Sequence, residues 1–160
     1  MDAVSDYKSD FVLFPEYFNA PLMSKYNDKG ESQAIRGLAK YTDEIRERFM
    51  NLAISYNINI ITGSMPYVKE DGGLYNVGFL VRRDGSYEMY EKVHVTPDEI
   101  KSWGLSGGKS LQTFDTDCAK IGVLICYDVE FPELSRIMQT RECKYCLFRS
   151  LPIRRTPTRA

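Results

Sequence analysis

Three chemically reactive side chains, a carboxylate, an ammonium and a thiol, lie at or just beyond the ends of three apolar segments of this 160-residue chain. Glu16 follows the apolar run at 11–15, Lys92 lies near the end of a second segment, and Cys126 directly follows the run at 121–125. A cysteine becomes a nucleophile as its thiolate, which needs a base or a nearby positive charge to form at neutral pH. A lysine can also hold the oxyanion of a tetrahedral intermediate. These residue types predict covalent catalysis by Cys126.

The segments that carry these residues predict strands of an α/β fold. Residues 11–14, 58–62 and 121–125 are apolar throughout, which is typical of strands covered on both faces. Further strands are predicted at 74–81 and 87–93, which form a hairpin, and at 111–114. In open α/β sheets, sites form beyond the carboxyl ends of strands, so we expect the three reactive side chains to meet at one edge.

Two helices accompany these strands. Apolar residues recur every three or four positions from about Ser32 to Tyr56 and predict one continuous helix. A second helix is predicted over 131–138, with Pro132 tolerated in its first turn. Residues 19–31 and 96–109 are predicted to be loops. Because strands alternate with helices and include a hairpin, the sequence predicts an α/β protein with mixed sheets.

Bulk composition excludes several classes of protein. The chain is 43% hydrophobic, which is enough to bury the core of one domain. The formal net charge of −1 predicts no nucleic-acid partner, and no apolar run approaches the ~20 residues of a membrane span. The first ten residues lack the apolar core of a secretory signal, so we expect a cytoplasmic location and four free cysteine thiols.

Three motifs together resemble the nitrilase, or carbon–nitrogen hydrolase, superfamily. They are Phe-Pro-Glu at 14–16, Tyr-Glu-Lys-Val-His-Val-Thr-Pro-Asp-Glu at 90–99 and Ile-Cys-Tyr-Asp-Val-Glu-Phe-Pro-Glu-Leu-Ser-Arg at 125–136. The third motif is specific, and the order and spacing of the other two add to it. The resemblance runs from about residue 4 to about residue 140 and implies an α-β-β-α sandwich.

The resemblance also implies a Glu–Lys–Cys triad of Glu16, Lys92 and Cys126. In this family Glu16 would be the general base and Cys126 the nucleophile, while Lys92 and the backbone N–H of Tyr127 would hold the oxyanion. The family's second glutamate corresponds to Glu99. The implied reaction is hydrolysis of a non-peptide C–N bond of a small amide or a nitrile through a thioester, with no cofactor and no metal.

The resemblance predicts a partial domain. The family fold has well over two hundred residues and opens with a strand before its first helix, whereas this chain begins inside that helix. We therefore expect 1–140 to be a partial carbon–nitrogen hydrolase domain and 141–160 to be an atypical tail, with six basic residues against the single Glu142. The alternative function is that of an inactive fragment that only binds a full-length homologue. Family members pair across sheet edges, so we also expect a homo-oligomer.

Other interpretations of the same residues stay open. Glu99 could be an ordinary helix-start carboxylate, with Asp98 the next candidate for the second glutamate. His94, the sole histidine, would have to be the partner of Cys126 in a papain-like enzyme.

Two short motifs do not predict sites. Cys143 and Cys146 form a CxxC pair that lacks a second ligand pair for zinc at a suitable spacing. Gly107–Ser110 resembles the end of a phosphate-binding loop, but the pattern requires glycine where Trp103 stands. Trp103 and these glycines are instead expected to shape a loop that faces the substrate.

Overall fold

The computed structural model describes residues 1–149. The α-helices are α1 (Asp2–Asp6), α2 (Glu31–Leu38), α3 (Thr42–Tyr56) and α4 (Pro132–Thr140). The strands are β1 (Phe11–Leu13), β2 (Asn59–Val68), β3 (Leu74–Val81), β4 (Tyr87–Glu91), β5 (Leu105–Ser106), β6 (Thr113–Asp115), β7 (Lys120–Ile125) and β8 (Tyr145–Arg149). Short 3₁₀-helices lie at Ala20–Tyr26, Ala39–Tyr41 and Cys126–Glu130, and a π-helix at Glu99–Trp103.

The strands form two mixed sheets. In the first sheet the order is β1-β2-β3-β4, in which β1 is parallel to β2, while β3 is antiparallel to both β2 and β4. The short β5 lies beside β3 and runs parallel to it. The second sheet has the order β6-β7-β8, in which β7 is antiparallel to β6 and parallel to β8. The predicted α/β class with mixed sheets is confirmed.

Three hydrophobic clusters show how the layers stack. Phe49 and Ala53 of α3 pack on one face of the first sheet. Ile61 and Leu80 on its other face meet Val123 of the second sheet. The outer face of the second sheet is covered by α4 through a cluster of Leu124, Leu134 and Met138. The layer order is therefore α-β-β-α, and the fully apolar strands lie in the middle of it because both of their faces are covered.

The predicted helix from Ser32 to Tyr56 is wrong in its continuity. It is divided into α2, a 3₁₀ turn and α3, although the apolar period continues through all three. The Tyr26 hydroxyl donates to the carbonyl of Gly37 at 3.0 Å, close to the end of α2. Thr42 at the start of α3 donates to the carbonyl of Pro66 at 2.7 Å. These tertiary contacts accompany the break, and the helical period alone does not reveal them.

Strand β2 is longer than predicted because it continues through Gly63 rather than ending there. The register of β2 against β3 shifts between Ile61 and Ser64, and Gly63 adopts a positive φ of 74°. A Cβ atom at Gly63 would lie 2.2 Å from the carbonyl oxygen of Pro15. The bulge therefore lets the segment that carries Glu16 approach the strand closely.

Two regions hold structure that the sequence analysis did not predict. The predicted loop at 96–109 contains the π-helix and β5, and the predicted loop at 19–31 contains a 3₁₀-helix. Strand β8 falls within the segment predicted to be a tail and pairs with β7 over its whole length. Residues 150–160 of that tail lie outside the described residues. The division of the chain near residue 141 stays a prediction.

Among residues 1–149, none of the helices has both the length and the apolar character that crossing a bilayer requires.

We expect Gly78→Ala to destabilise the first sheet beside the bulge. A Cβ atom at Gly78 would lie 2.2 Å from the carbonyl oxygen of Gly63 and 2.3 Å from the ring of Tyr90. Overpacking against backbone lowers the free energy of unfolding by about 1–3 kcal/mol. Urea titration of the variant and the wild type measures this loss. Gly30→Ala is the control, because nothing lies within 4 Å of its added Cβ. Equal losses in the two variants would contradict the prediction.

Candidate active site

Glu16 is held at the end of β1 by the backbone of β2. It forms a parallel bridge with Ser64, and the N–H of Tyr17 donates to the carbonyl of Ser64 at 2.7 Å. The Glu16 side chain is only 2% exposed. The carboxylate therefore points into the protein, where a charge requires a partner.

Lys92, which follows β4 directly, supplies that partner. Its backbone N–H donates to the carbonyl of Asn76 at 2.9 Å, and its side chain is 1% exposed. The ammonium Nζ lies 3.0 Å from Oε1 of Glu16, and 2.8 and 2.9 Å from Oε1 and Oε2 of Glu99. One ammonium thus joins two buried carboxylates that come from distant parts of the chain.

Glu99 is oriented by its own loop and by the residue after Glu16. The N–H of Thr96 donates to Oε2 of Glu99 at 2.8 Å, and the N–H of Glu99 donates to Oγ1 of Thr96 at 3.2 Å. The Tyr17 hydroxyl donates to Oε1 at 3.2 Å. The helix-start interpretation of Glu99 accounts for its backbone position but not for its contacts with Lys92 and Tyr17.

The side chain of Asn76 decides which oxygen of Glu16 is available. Its Nδ2 donates to Oε1 of Glu16 at 2.8 Å, and this is the oxygen that Lys92 also contacts. Both of these donors fall on Oε1, so Oε2 is the oxygen that neither of them contacts. Burial and the charge of Glu16 raise the pKa of the Cys126 thiol, so the two side chains influence each other.

Cys126 lies at the end of β7 with a positive φ of 48°, which is uncommon for a residue other than glycine. The chain turns there from a strand into a 3₁₀-helix, and the side chain is partly exposed. Together with Glu16, Lys92 and Glu99, it lines a cavity of about 380 Å³. The structure thus brings both sequence-predicted glutamates, the lysine and the cysteine to one cavity.

Burial and mutual charge perturb the protonation of these groups. Burial raises the pKa of Glu16, and the ammonium of Lys92 opposes this without cancelling it. Burial alone would lower the pKa of Lys92, but Glu16 and Glu99 outweigh it and raise the pKa. Burial and the charge of Glu16 also raise the pKa of the Cys126 thiol above 9.0. A raised thiol pKa favours the protonated form of Cys126 at neutral pH.

Tyr127 and Asp98 occupy the edges of this site. Tyr127 lies in the first turn of the 3₁₀-helix, where backbone N–H groups lack partners within the helix, and its ring meets Phe131 edge-on at 5.3 Å. Asp98 is exposed and lines the cavity beside Glu99. Its carboxylate makes no ion pair within residues 1–149.

His94 points to a different partner from the one a papain-like mechanism requires. Its Nδ1 lies 3.2 Å from Oδ1 of Asp128, and its ring stacks on Phe131 at 3.7 Å. The residues that line the cavity include Cys126 but not His94. His94 therefore contacts Asp128 and Phe131 instead of lining the cavity with Cys126.

The loop after Lys92 packs as a wall of the site. Trp103 lines the cavity, and its ring meets Tyr17 edge-on at 5.4 Å. The N–H of Gly108 donates to the carbonyl of Lys92 at 2.8 Å. A Cβ atom at Gly107 would lie 2.5 Å from the carbonyl oxygen of Val93.

The remaining cysteines lie outside the site as free thiols. Cys143 donates to the carbonyl of Tyr145 at 3.0 Å, and Sγ of Cys146 lies 3.2 Å from Sδ of Met138. Burial raises the pKa of Cys146 to about 11. Within residues 1–149, His, Cys, Asp and Glu side chains form no group of three suited to a metal ion.

A larger cavity of about 470 Å³ lies between α3 and the segment after β1. Its lining is mostly aliphatic and aromatic, and it includes Phe14, Phe18 and Phe49 with Asn19 and Arg48. None of the predicted catalytic residues borders it, so its size alone does not make it the functional site.

Sequence reasoning missed three residues of the site: Tyr17, Asn76 and Asp128. Tyr17 directly follows the Phe-Pro-Glu motif and Asp128 lies inside the Cys126 motif, but the sequence predicted no role for either residue. Asn76 is a fully buried polar residue in the otherwise apolar strand β3. A polar side chain at a buried strand position is the signal that could have identified it.

Comparison with known proteins defines the class to which this fold and cavity belong. A family model described as carbon–nitrogen hydrolase matches residues 1–158. The chain belongs to the carbon–nitrogen hydrolase family.

Two curated relatives support the assignment. The protein called probable hydrolase YhcX from Bacillus subtilis is 46% identical over 144 residues, which cover 90% of this chain and 28% of that protein. Human omega-amidase NIT2 is 34% identical over 146 residues, which cover 86% of this chain and 50% of that protein. The chain thus spans at most about half the length of these two relatives.

Solved structures show the same fold. A carbon–nitrogen hydrolase from Helicobacter pylori matches with a TM-score of 0.80 at 22% identity, covering 93% of this chain and 50% of that one. Nit3 from Saccharomyces cerevisiae matches with a TM-score of 0.78 at 24% identity, covering 96% and 55%.

We expect the stability of the wild type relative to Glu16→Gln to fall as the pH rises from about 4.5 through the folded-state pKa of Glu16. The raised pKa of Glu16 means that the folded state binds this proton more tightly than the unfolded state does. Its contribution to stability is therefore complete below a pH of about 4.5 and is lost as the pH rises through the folded-state pKa. Thermal melts of both proteins across this range measure the difference.

The control for these melts is Glu47→Gln, on the exposed face of α3. If the stability difference between wild type and Glu16→Gln stays constant or increases with pH, the pKa of Glu16 is not raised in the folded state.

We also expect thiol reagents to react with Cys126 according to their charge. The cavity lining holds four carboxylates, of Glu16, Glu31, Asp98 and Glu99, and one ammonium, which is already paired. A cationic methanethiosulfonate should therefore modify Cys126 about tenfold faster than an anionic one at low salt. Peptide mapping by mass spectrometry measures both rates, with the exposed Cys118 as the internal reference. Faster modification by the anionic reagent would reject this charge balance.

Proposed function

We propose that this chain carries the nucleophile, the base and the oxyanion-binding ammonium of an amidase that hydrolyses a small non-peptide amide through a cysteine thioester. The observation that carries the proposal is the shared cavity, which Glu16, Lys92 and Cys126 all line. The chain belongs to a hydrolase family, and the chemistry of these three groups fits acyl transfer by a thiol.

The first half of the reaction uses the free oxygen of Glu16. Oε2 of Glu16 takes the thiol proton as Sγ of Cys126 attacks the amide carbonyl carbon. The carbonyl oxygen becomes an oxyanion, which Nζ of Lys92 and the N–H of Tyr127 stabilise. Glu16 then passes the proton to the departing nitrogen, the C–N bond breaks, and ammonia leaves behind a thioester on Cys126.

The second half repeats the pattern with water. Glu16 removes a proton from a water molecule, which attacks the thioester carbon. The new tetrahedral intermediate collapses with cleavage of the C–S bond, and the thiolate of Cys126 takes the proton back from Glu16. The carboxylic acid leaves, and the resting thiol is restored.

The contacts of Lys92 limit how it can hold the oxyanion. Its ammonium has three protons and three carboxylate oxygens within 3.0 Å. A substrate oxygen must therefore replace one of these three contacts, and in this proposal it replaces one of the two from Glu99 while the other is retained. Glu99 thus acts as the group that keeps Lys92 charged and oriented during turnover.

The relatives favour an amide over a nitrile. NIT2 is named an omega-amidase, and a structurally similar amidase from Nesterenkonia has been crystallised as a cysteine-to-alanine mutant in complex with butyramide. Both names concern amides. We therefore assign this chain to the amidase side of its family.

Two further properties are proposed with this function. Within residues 1–149, β8 is an edge strand of the second sheet, and edge backbone is a template for pairing with another chain, which favours a homo-oligomer. A cytoplasmic location stays a prediction from the sequence.

Amide hydrolysis by residues 1–160 tests the proposal directly. Ammonia release should be measured on a panel of small aliphatic amides and nitriles, together with the mass of the Cys126 peptide after rapid quenching. Cys126→Ala should lower turnover by at least about 10³-fold with an unchanged circular dichroism spectrum. Cys118→Ala, which removes an exposed thiol, is the matched control and should retain full activity.

Full turnover by Cys126→Ala would reject the mechanism. A folded wild-type chain that releases no ammonia and forms no acyl adduct would favour the alternative, a fragment that acts only by binding a full-length homologue.

A further inference from the structure

The proposed catalytic groups are anchored to two different sheets. Glu16 bridges to β2 and Lys92 donates its N–H to Asn76 of β3, so both belong to the first sheet. Cys126 follows β7 of the second sheet. The cluster between the sheets is hydrophobic, and hydrophobic contact is not directional. A directional contact is therefore needed to fix the thiol relative to its base and ammonium.

Asp128 makes such a contact at the active-site end of the sandwich. Its side chain is 1% exposed. On the first-sheet side it accepts the N–H of His94 at 2.7 Å and that of Val93 at 3.3 Å, and it lies 3.2 Å from Nδ1 of His94. On the second-sheet side it accepts the N–H of Ile125 at 3.2 Å. One carboxylate thus joins the residues just after Lys92 to the residue just before Cys126.

The same contact supports an unfavourable backbone conformation. Cys126 has a φ of 48°, and non-glycine residues in this region of backbone space persist where the surrounding structure holds them. Asp128 holds the residue before Cys126 from within the same 3₁₀-helix. A carboxylate that accepts several N–H groups gives charge-assisted hydrogen bonds, which are stronger than neutral ones.

We propose that Asp128 is a positioning residue, which sets the separation between Cys126 and the Glu16–Lys92 pair by joining the two sheets at their active-site ends. The inference rests on the proposed function, because it assigns Asp128 a role in that site. Asp128 acts through the backbone on either side of it.

The opposite end of the sandwich provides a matched control. There Asp117, which precedes β7, accepts Nδ2 of Asn59 at 2.7 Å and pairs with Arg83 at 3.0 Å. Asn59 begins β2, so Asp117 also joins the two sheets, but far along the strands from Cys126. Asp117→Asn and Asp128→Asn thus make the same chemical change at the two ends.

The test measures how strongly Glu16 influences the thiol of Cys126. The pH dependence of iodoacetamide labelling at Cys126, followed by peptide mapping, gives the pKa of the thiol. Since Glu16 raises that pKa, Glu16→Gln should lower it in the wild type and in Asp117→Asn. In Asp128→Asn, the shift caused by Glu16→Gln should shrink to less than about half its wild-type size, because the two changes are coupled through the position of Cys126.

An undiminished shift in Asp128→Asn, or no shift in the wild type, would overturn the proposal. If Asp128→Asn does not fold, Asp128→Glu replaces it, because it keeps the charge but displaces the carboxylate by one methylene. Unfolding of both variants beside a folded Asp117→Asn would make Asp128 a folding residue and would also overturn the proposal. The readout is a titration, so absent amide turnover would count against the proposed function without deciding this result.

Discussion

The buried ammonium of Lys92 is the interaction on which the geometry of the site depends. A charge removed from water is costly unless it is paired and hydrogen-bonded. Glu16 and Glu99 provide that pairing at 3.0 and 2.8 Å, which requires three separate segments to end at one point. The bulge at Gly63 follows from the same need, because it admits the segment that brings Glu16 to the ammonium.

This cluster places the carboxylate in a state suited to proton transfer. Burial raises the pKa of Glu16 above its ordinary value, while Lys92 limits the rise. Burial and the charge of Glu16 raise the pKa of Cys126 as well. In the proposed mechanism, the thiol therefore passes its proton to Glu16 only as a substrate is attacked. A charged cluster of this kind weakens the fold, and the hydrophobic layers on both faces of the first sheet offset that cost.

Much of the fold and the core of the site could be predicted from the sequence. Apolar runs indicated the central strands, and the motifs around Glu16, Lys92 and Cys126 led to three residues that the structure places at one cavity. The predictions failed where distant segments decide the outcome. The helix from Ser32 to Tyr56 is interrupted, and β2 passes through Gly63 instead of stopping there. Strand β8, at the edge of the second sheet, was missed because its sequence lacks the long apolar runs of the central strands.

The sequence by itself determined the chemistry that is available and the local elements that carry it, because residue type and apolar period are properties of short segments. Only the tertiary structure decided that Oε1 of Glu16 accepts both the Lys92 ammonium and the amide of Asn76 from another strand. It also decided that Asp128 would join the Lys92 loop to the Cys126 turn. The contact between Asn76 and Glu16 links residues that are 60 positions apart, and that between His94 and Asp128 links residues that are 34 apart. Only the packing of distant segments brings them within hydrogen-bond distance.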